Sequence, residues 1–259
     1  MRDRRAFRAV IALLAGLALC AAPALTRPDT GHAKKTLGID VSRFQGKIKW
    51  KPAAKKVSFA FIQASRGSGA DCAVAPDRCG ADEYYLRNLA KTRAKGIKAG
   101  PYHRMFANGE TLTEVVADAT LEADLFISMV AQGGGLRSGD LRPALDVETP
   151  FGGLNATELR AWIGTWTDRV EGALGAKPVI YTNNSSWQAT GNTTDFALAG
   201  HPLWVAHWGV PAPLVPASSW GGNSWSVWQY SSSGHVKGIT GRVDLNRLAA
   251  TGFGPISVP

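Results

Sequence analysis

Four acidic residues stand apart from the rest. Most Asp and Glu fall in stretches with helical patterning, where a solvated face accounts for them, but Asp40 in LGIDVS, Asp146 and Glu148 in PALDVETP, and Asp244 in GRVDLNR sit at or near apolar, β-branched runs. Residues i and i+2 of a strand point to the same side, so Asp146 and Glu148 are expected to share one face with Val147 on the other. Carboxyls gathered in a partly desolvated pocket cannot all ionise cheaply, and their pKa values should separate. One protonated carboxylic acid beside one ionised carboxylate is the pair that glycoside hydrolysis requires. On spacing alone, a divalent-cation site and a structural hydrogen-bond network remain open as alternatives.

These four acids can meet only if the elements that carry them converge. Strand-like runs occur at Leu37 to Val41, Val57 to Gln63, Ile97 to His103, Pro143 to Glu148, Pro178 to Thr182, Leu203 to His207, Trp225 to Tyr230 and Arg242 to Leu245. Helical patterns occupy Asp82 to Lys95, Thr111 to Ala131 and Asn155 to Leu174, the last opening on a capping-box sequence, Asn155 to Glu158. The alternation weakens after Tyr181, where Gly, Pro, Ser and Trp dominate. This pattern predicts an α/β fold, a TIM-like (β/α) parallel barrel with incomplete helices on its last strands, and a doubly wound open sheet is the alternative. In such a barrel the C-terminal strand ends open on one mouth, where Tyr102, His103 and Tyr181 would join the four acids. His103 taken alone reads as a satisfied barrel histidine.

Composition narrows the partners. The 259 residues carry 29 Lys+Arg against 20 Asp+Glu, a net charge of +9, with 45% hydrophobic residues, enough apolar content for a substantial core. Arg2, Arg4, Arg5 and Arg8 precede an uncharged run from Ala9 to Thr26 that ends in small residues, Ala22-Pro23-Ala24. This reads as a signal peptide over residues 1–24, with an uncleaved membrane anchor as the alternative. Its removal takes four Arg and one Asp and lowers the charge to +6. A linker over 25–35 and one domain over 36–259 follow. Export to a periplasmic or extracellular compartment would let Cys72 and Cys79 pair, closing a short loop worth roughly 2.5 kcal/mol. Zinc is the rival for this pair, though no further Cys or His stands at ligand spacing. Nine Trp is a high count, and five of them, Trp204, Trp208, Trp220, Trp225 and Trp228, crowd one Gly- and Ser-rich span. Aromatic faces of this kind pack on the C–H faces of sugars. The basic cluster Lys47, Lys49, Lys51, Lys55 and Lys56 reads as a solvated face, with no nucleic-acid motif beside it. A monomer is expected, without stable membrane insertion once the signal is removed.

Taken in order, LGIDVSRFQG, FAFIQASRG, KAGPYHRM, PALDVETP, KPVIYTN, PLWVAHWG, WSVWQYS and GRVDLNRL resemble the strand motifs of glycoside hydrolase family 25, the lysozymes that cleave peptidoglycan. The resemblance spans residues 37–248. It implies a modified (β/α) barrel with a groove at the strand C-termini and hydrolysis of the β-1,4 bond between N-acetylmuramic acid and N-acetylglucosamine, with no cofactor. It also implies that Glu148 matches the proton donor and Asp146 the partner that orients the substrate acetamido group or stabilises the oxocarbenium ion. Asp40 and Asp244 match flanking carboxylates, and Tyr102 and Tyr181 groove-lining tyrosines; Trp204, His207 and Trp228 are expected to contact sugar. Two departures stand out. Where the family reads K-A-T-E-G, this chain has Gln63-Ala-Ser65-Arg66-Gly, and after Tyr102-His103 the usual aromatic is Arg104. Both should alter groove electrostatics without removing a matched carboxylate. A non-catalytic glycan-binding module and a metal-dependent polysaccharide deacetylase are the rival functions.

Overall fold

Apolar, β-branched runs punctuated by helices fold here as the sequence alternation predicts. The computed structural model describes residues 36–68 and 79–259. The signal peptide, the linker over residues 25–35 and Cys72, and with it the pairing to Cys79, lie outside the described residues. Strands β1 (Leu37–Val41), β2 (Val57–Arg66), β4 (Lys98–Arg104), β5 (Ala144–Asp146), β6 (Val179–Asn183), β7 (Leu203–Ala206), β8 (Val227–Gly234) and β9 (Val243–Leu248) form a closed eight-stranded barrel, because β1 pairs with both β2 and β9. A two-residue strand β3 (Gly80–Ala81), not anticipated from the sequence, adds antiparallel to the end of β2. Among the described residues no helix is long and apolar enough to cross a membrane.

The barrel departs from the expected parallel arrangement at its last strand. β9 runs antiparallel to both β8 and β1. Asp244 therefore reaches the mouth from the beginning of its strand, whereas Asp40 and Asp146 reach it from the ends of theirs, and Asp40 and Asp244 pair directly across the β1–β9 ladder.

Helices α2 (Tyr85–Arg93), α3 (Leu112–Gln132) and α4 (Ala156–Leu174) cover the first half of the barrel. Their starts follow local chemistry: Thr111 and Asn155 each close a capping box with the Glu three residues on, satisfying backbone N–H groups that the first turn leaves unpaired. The first helical turn, α1 (Trp50–Ala53), is short. After β6 only short pieces remain, α5 (Asn184–Gln188), α6 (Asp195–Leu198) and a left-handed turn over Ala217–Trp220. The helices on the late strands are thus incomplete, as predicted.

Two apolar layers hold the barrel. Period-2 alternation sends Phe59, Phe61, Tyr102, Ala144, Val179, Tyr181, Trp204 and Val227 into the interior, while Ile39, Val41, Ala60, Ile62, Leu145 and Val205 face the outer layer. The interior is filled by rings: Phe61 stacks on Trp204 at 4.4 Å, and Phe59 meets Phe61 and Phe253 edge-on. Gly38 makes room for this. A Cβ there would lie 2.0 Å from the Phe59 ring, which is fully buried between Phe61 and Phe253. Gly38→Ala is therefore expected to destabilise the fold by about 3 kcal/mol, as overpacked cores do. Denaturant unfolding checks this, and an unchanged midpoint would contradict the packing argument.

Candidate active site

The strand ends surround a cleft of about 390 Å³. Asp40, Asp146, Glu148 and Asp244 all line it, with Tyr102, Tyr181 and Trp204 of the predicted set. Asp146 ends β5 and Glu148 follows two residues later, so the strand alternation presents both to the cleft while Val147 is fully buried in the outer layer.

The carboxyls form two groups. Asp40 accepts hydrogen bonds at Oδ2 from Gln229 Nε2 (3.0 Å) and Asn246 Nδ2 (2.7 Å), and shares a side-chain hydrogen bond with Asp244. Two carboxyls can bond this way only through a shared proton. Burial, followed by the Asp244 charge, pushes Asp40 well above the usual carboxylate range, and burial also raises Asp244. Asp40 is thus the member that keeps the proton. In the second group, burial and then the charge of Glu148 push Asp146 up, against the opposing pull of Arg104 and Arg66. Its Oδ1 is buried without a hydrogen-bond partner among the described residues.

Arg104 ties this second group together. Its Nε lies 3.3 Å from Glu148 Oε1 and 3.7 Å from Asp146 Oδ2. Nη1 donates to the carbonyls of Met105 and Glu148, and Nη2 to that of Thr149. The guanidinium thereby fixes both the carboxyls and the backbone that carries Glu148, a use of its planar fork that a lysine could not reproduce.

The tyrosines sit on the walls. Tyr181 donates to Gln229 Oε1 (3.1 Å), and Trp208 Nε1 donates to the same oxygen (2.9 Å). Burial raises the phenols of Tyr102 and Tyr181 far above their ordinary range, so both remain donors. Gln229 joins Asp40, Tyr181 and Trp208, and Asn246 joins Asp40 to Trp204, whose indole N–H it accepts (2.7 Å). Sequence reasoning quoted the WQY and VDLNR motifs without singling out these amides. The signal was available: each lies two residues or fewer from a chosen residue and on the inward register.

Three chosen residues lie elsewhere. Trp228 alternates outward from Gln229, its indole N–H bonded to the His207 carbonyl and its face against Arg247 at 4.0 Å. His207 follows β7 on the outward register and accepts the Leu214 N–H at Nδ1; neither lines the cleft. His103 does not face the mouth either. It points outward from β4, fully buried, between Ser65 Oγ (2.8 Å) and Glu122 Oε2 (2.6 Å), and burial lowers its pKa to about 3. Of the Trp-rich span, Trp204 and Trp208 reach the cleft, and Trp208 is half exposed at its rim. Phe44, 77% exposed after β1, forms another rim wall. No sequence pattern marked it, since exposure depends on what fails to cover the ring.

A closed barrel with clustered carboxyls at one mouth defines an enzyme-like cleft, and the comparisons with known proteins agree with that class. The sequence profile of glycosyl hydrolases family 25 matches residues 39–239. The chain is 35% identical over 219 residues to Lysozyme M1 of Streptomyces globisporus, covering 82% of this chain and 67% of that protein. It is 30% identical to the N,O-diacetylmuramidase of Chalaropsis sp, covering 83% of this chain and 99% of that one. In structure it resembles the bacterial lysozyme from Streptomyces coelicolor, with a TM-score of 0.67 at 33% identity over 83% of this chain and 93% of the other. The chain belongs to glycosyl hydrolases family 25. It is a glycoside hydrolase of the lysozyme type.

Proposed function

We propose that this chain is an exported peptidoglycan hydrolase that cuts the β-1,4 bond between N-acetylmuramic acid and N-acetylglucosamine by carboxylate acid/base chemistry. Glu148 donates a proton to the leaving oxygen as the bond to the muramic anomeric carbon breaks. Water then completes that carbon, leaving a muramic reducing end. Asp146 faces the same sugar, where its carboxyl accepts from the acetamido N–H; burial favours its protonated form, and its ionised form offsets the positive charge developing at the anomeric carbon. One observation carries the reading: Asp146 Oδ1, buried beside Glu148, has no partner among the described residues, and a buried acceptor left open costs free energy that a ligand N–H or cation would recover.

The supporting cast fits. The proton shared by Asp40 and Asp244 leaves one net negative charge on that pair, Tyr102 and Tyr181 offer hydroxyl donors, and Trp204, Trp208 and Phe44 offer apolar surface to pyranose rings. The Arg-rich N-terminal segment and the uncharged run behind it support export to the periplasm or cell exterior. The net positive charge favours approach to an anionic wall.

Digestion of purified peptidoglycan followed by mass spectrometry tests the reading. The expected products are muropeptides with N-acetylmuramic acid at the reducing end. Binding of glycan without release of such ends would overturn it, as would loss of all activity on adding a chelator.

A further inference from the structure

Arg66 ends β2 inside the cleft, only 9% exposed, and is a guanidinium with no acid assigned to it. Among the described residues no carboxylate lies within ion-pair distance of it. Its Nε and Nη2 both donate to the neutral Gln63 Oε1, at 3.4 and 3.2 Å, while Nη1 makes no hydrogen bond among the described residues. The surroundings are adverse to a cation: burial and the nearby charges of Arg43 and Arg104 both press its pKa down. Asp82 and Asp146 act on it only at longer range, and its direct support is aromatic, since its guanidinium carbon lies 5.3 Å from the centroid of the exposed Phe44 ring. A desolvated cation held among like charges is costly, and an open fork on a ring platform at the wall of a cleft is suited to a planar anion.

The position of Arg66 says where that anion would be. Its charge acts on Asp146, so it stands near the sugar whose anomeric carbon reacts. On the reading proposed above, on which this inference rests, that sugar is muramic acid. Muramic acid differs from its neighbour in the chain by a lactyl ether at C3, ending in a carboxylate or, when acylated, in a peptide that bears carboxylates of its own. We propose that Arg66, with Phe44 as its platform, is a specificity residue that binds a carboxylate carried on the lactyl arm of muramic acid. Arg104 is the less available cation, because its Nε faces Glu148 and Asp146 and both of its Nη atoms already donate to backbone carbonyls.

The test compares kcat/KM on matched glycans. Peptide-free strands with free lactyl carboxylates are set against the same strands amidated with carbodiimide and ammonia, and stem-bearing strands against their amidated form. The natural chain should prefer the carboxylate form of at least one pair by about tenfold. Arg66→Gln should bring that ratio close to one, and Arg66→Lys, which keeps the charge and loses the fork, should retain part of it. Dependence in the peptide-free pair identifies the lactyl carboxylate itself; dependence confined to the stem-bearing pair identifies the peptide's carboxylates. Either supports the proposal. The absence of any preference in the natural chain overturns it, as does a preference that survives in a folded Arg66→Gln protein, with folding checked by circular dichroism. If no reducing ends appear from any strand, the muramidase reading fails instead, and the two failures are distinct.

Discussion

Replacing Glu148 by Gln is expected to lower kcat on peptidoglycan by about 10²–10⁴-fold while leaving the fold intact, the range that removal of a general acid commands. The substitution is close to isosteric. A Gln side chain can still accept from Arg104 Nε, which stands 3.3 Å from Glu148 Oε1, so the position of the side chain is held while its acidic proton is gone. Glu148 is also the less buried of the two acids, its side chain 33% exposed against 11% for Asp146, which leaves it reachable from the leaving-group side of a bound strand. Reducing-end release by the variant decides the matter. A rate within about threefold of the natural chain would move the proton donor elsewhere.

Asp146→Asn should separate activity from stability. In its ionised form it is the proposed neighbour of the developing positive charge, and Asn, which cannot ionise, should reduce kcat by about 10²-fold, comparable to loss of one preorganised electrostatic group. The effect on the fold runs the other way. Burial and the Glu148 charge raise Asp146 in the native state above its model-peptide value of 3.8, so the native protein binds a proton that the unfolded chain releases. That group penalises folding as pH rises through the interval between 3.8 and the raised native value, and does so fully above it. Asn removes the penalty, which exceeds what is lost with the attraction of Arg104 and Arg66. The variant should therefore melt higher at pH 7, by roughly 2–4 °C for each kcal/mol relieved in a chain of this size, and the gain should vanish below pH 3.8. Thermal melts at the two pH values check this. A variant that melts lower at pH 7 would show that the two arginines outweigh the burial.

The sequence made the acidic half of the cleft legible because strand alternation is rigid geometry. Once Asp146 and Glu148 are placed at a strand end, their common side follows, and the same parity would have found Gln229 and Asn246. Trp228 and His207 were misplaced by neglecting it: composition drew attention to Trp228, although parity turns it away from the cleft. The direction of β9 was missed for a different reason. The amino acids of a short strand read alike in both directions, but the connection from Gly234 to Val243 is too short for the crossover that a parallel neighbour needs, so β9 had to run antiparallel to β8. The capping-box sequence at Asn155 placed that helix start to within a residue, as the helical pattern from Thr111 did for its neighbour, whereas β3 was too short to carry any pattern. Arg66 and Arg104 were visible as departures from the family motifs, yet their different roles depend on who else claims their N–H groups.

The ladder between β1 and β9 joins strands more than 200 residues apart in the chain. Asp40 sits on the first strand of the barrel and Asp244 on its last, with Asn246 and Gln229 bonded to Asp40 from the same end. Contacts of such sequence separation form late in folding. Until the barrel's final strand docks, Asp244 is missing from the four acids and Asp40 lacks its carboxyl partner. On the function proposed above, the appearance of muramidase activity in a refolding chain would time the completion of the ring.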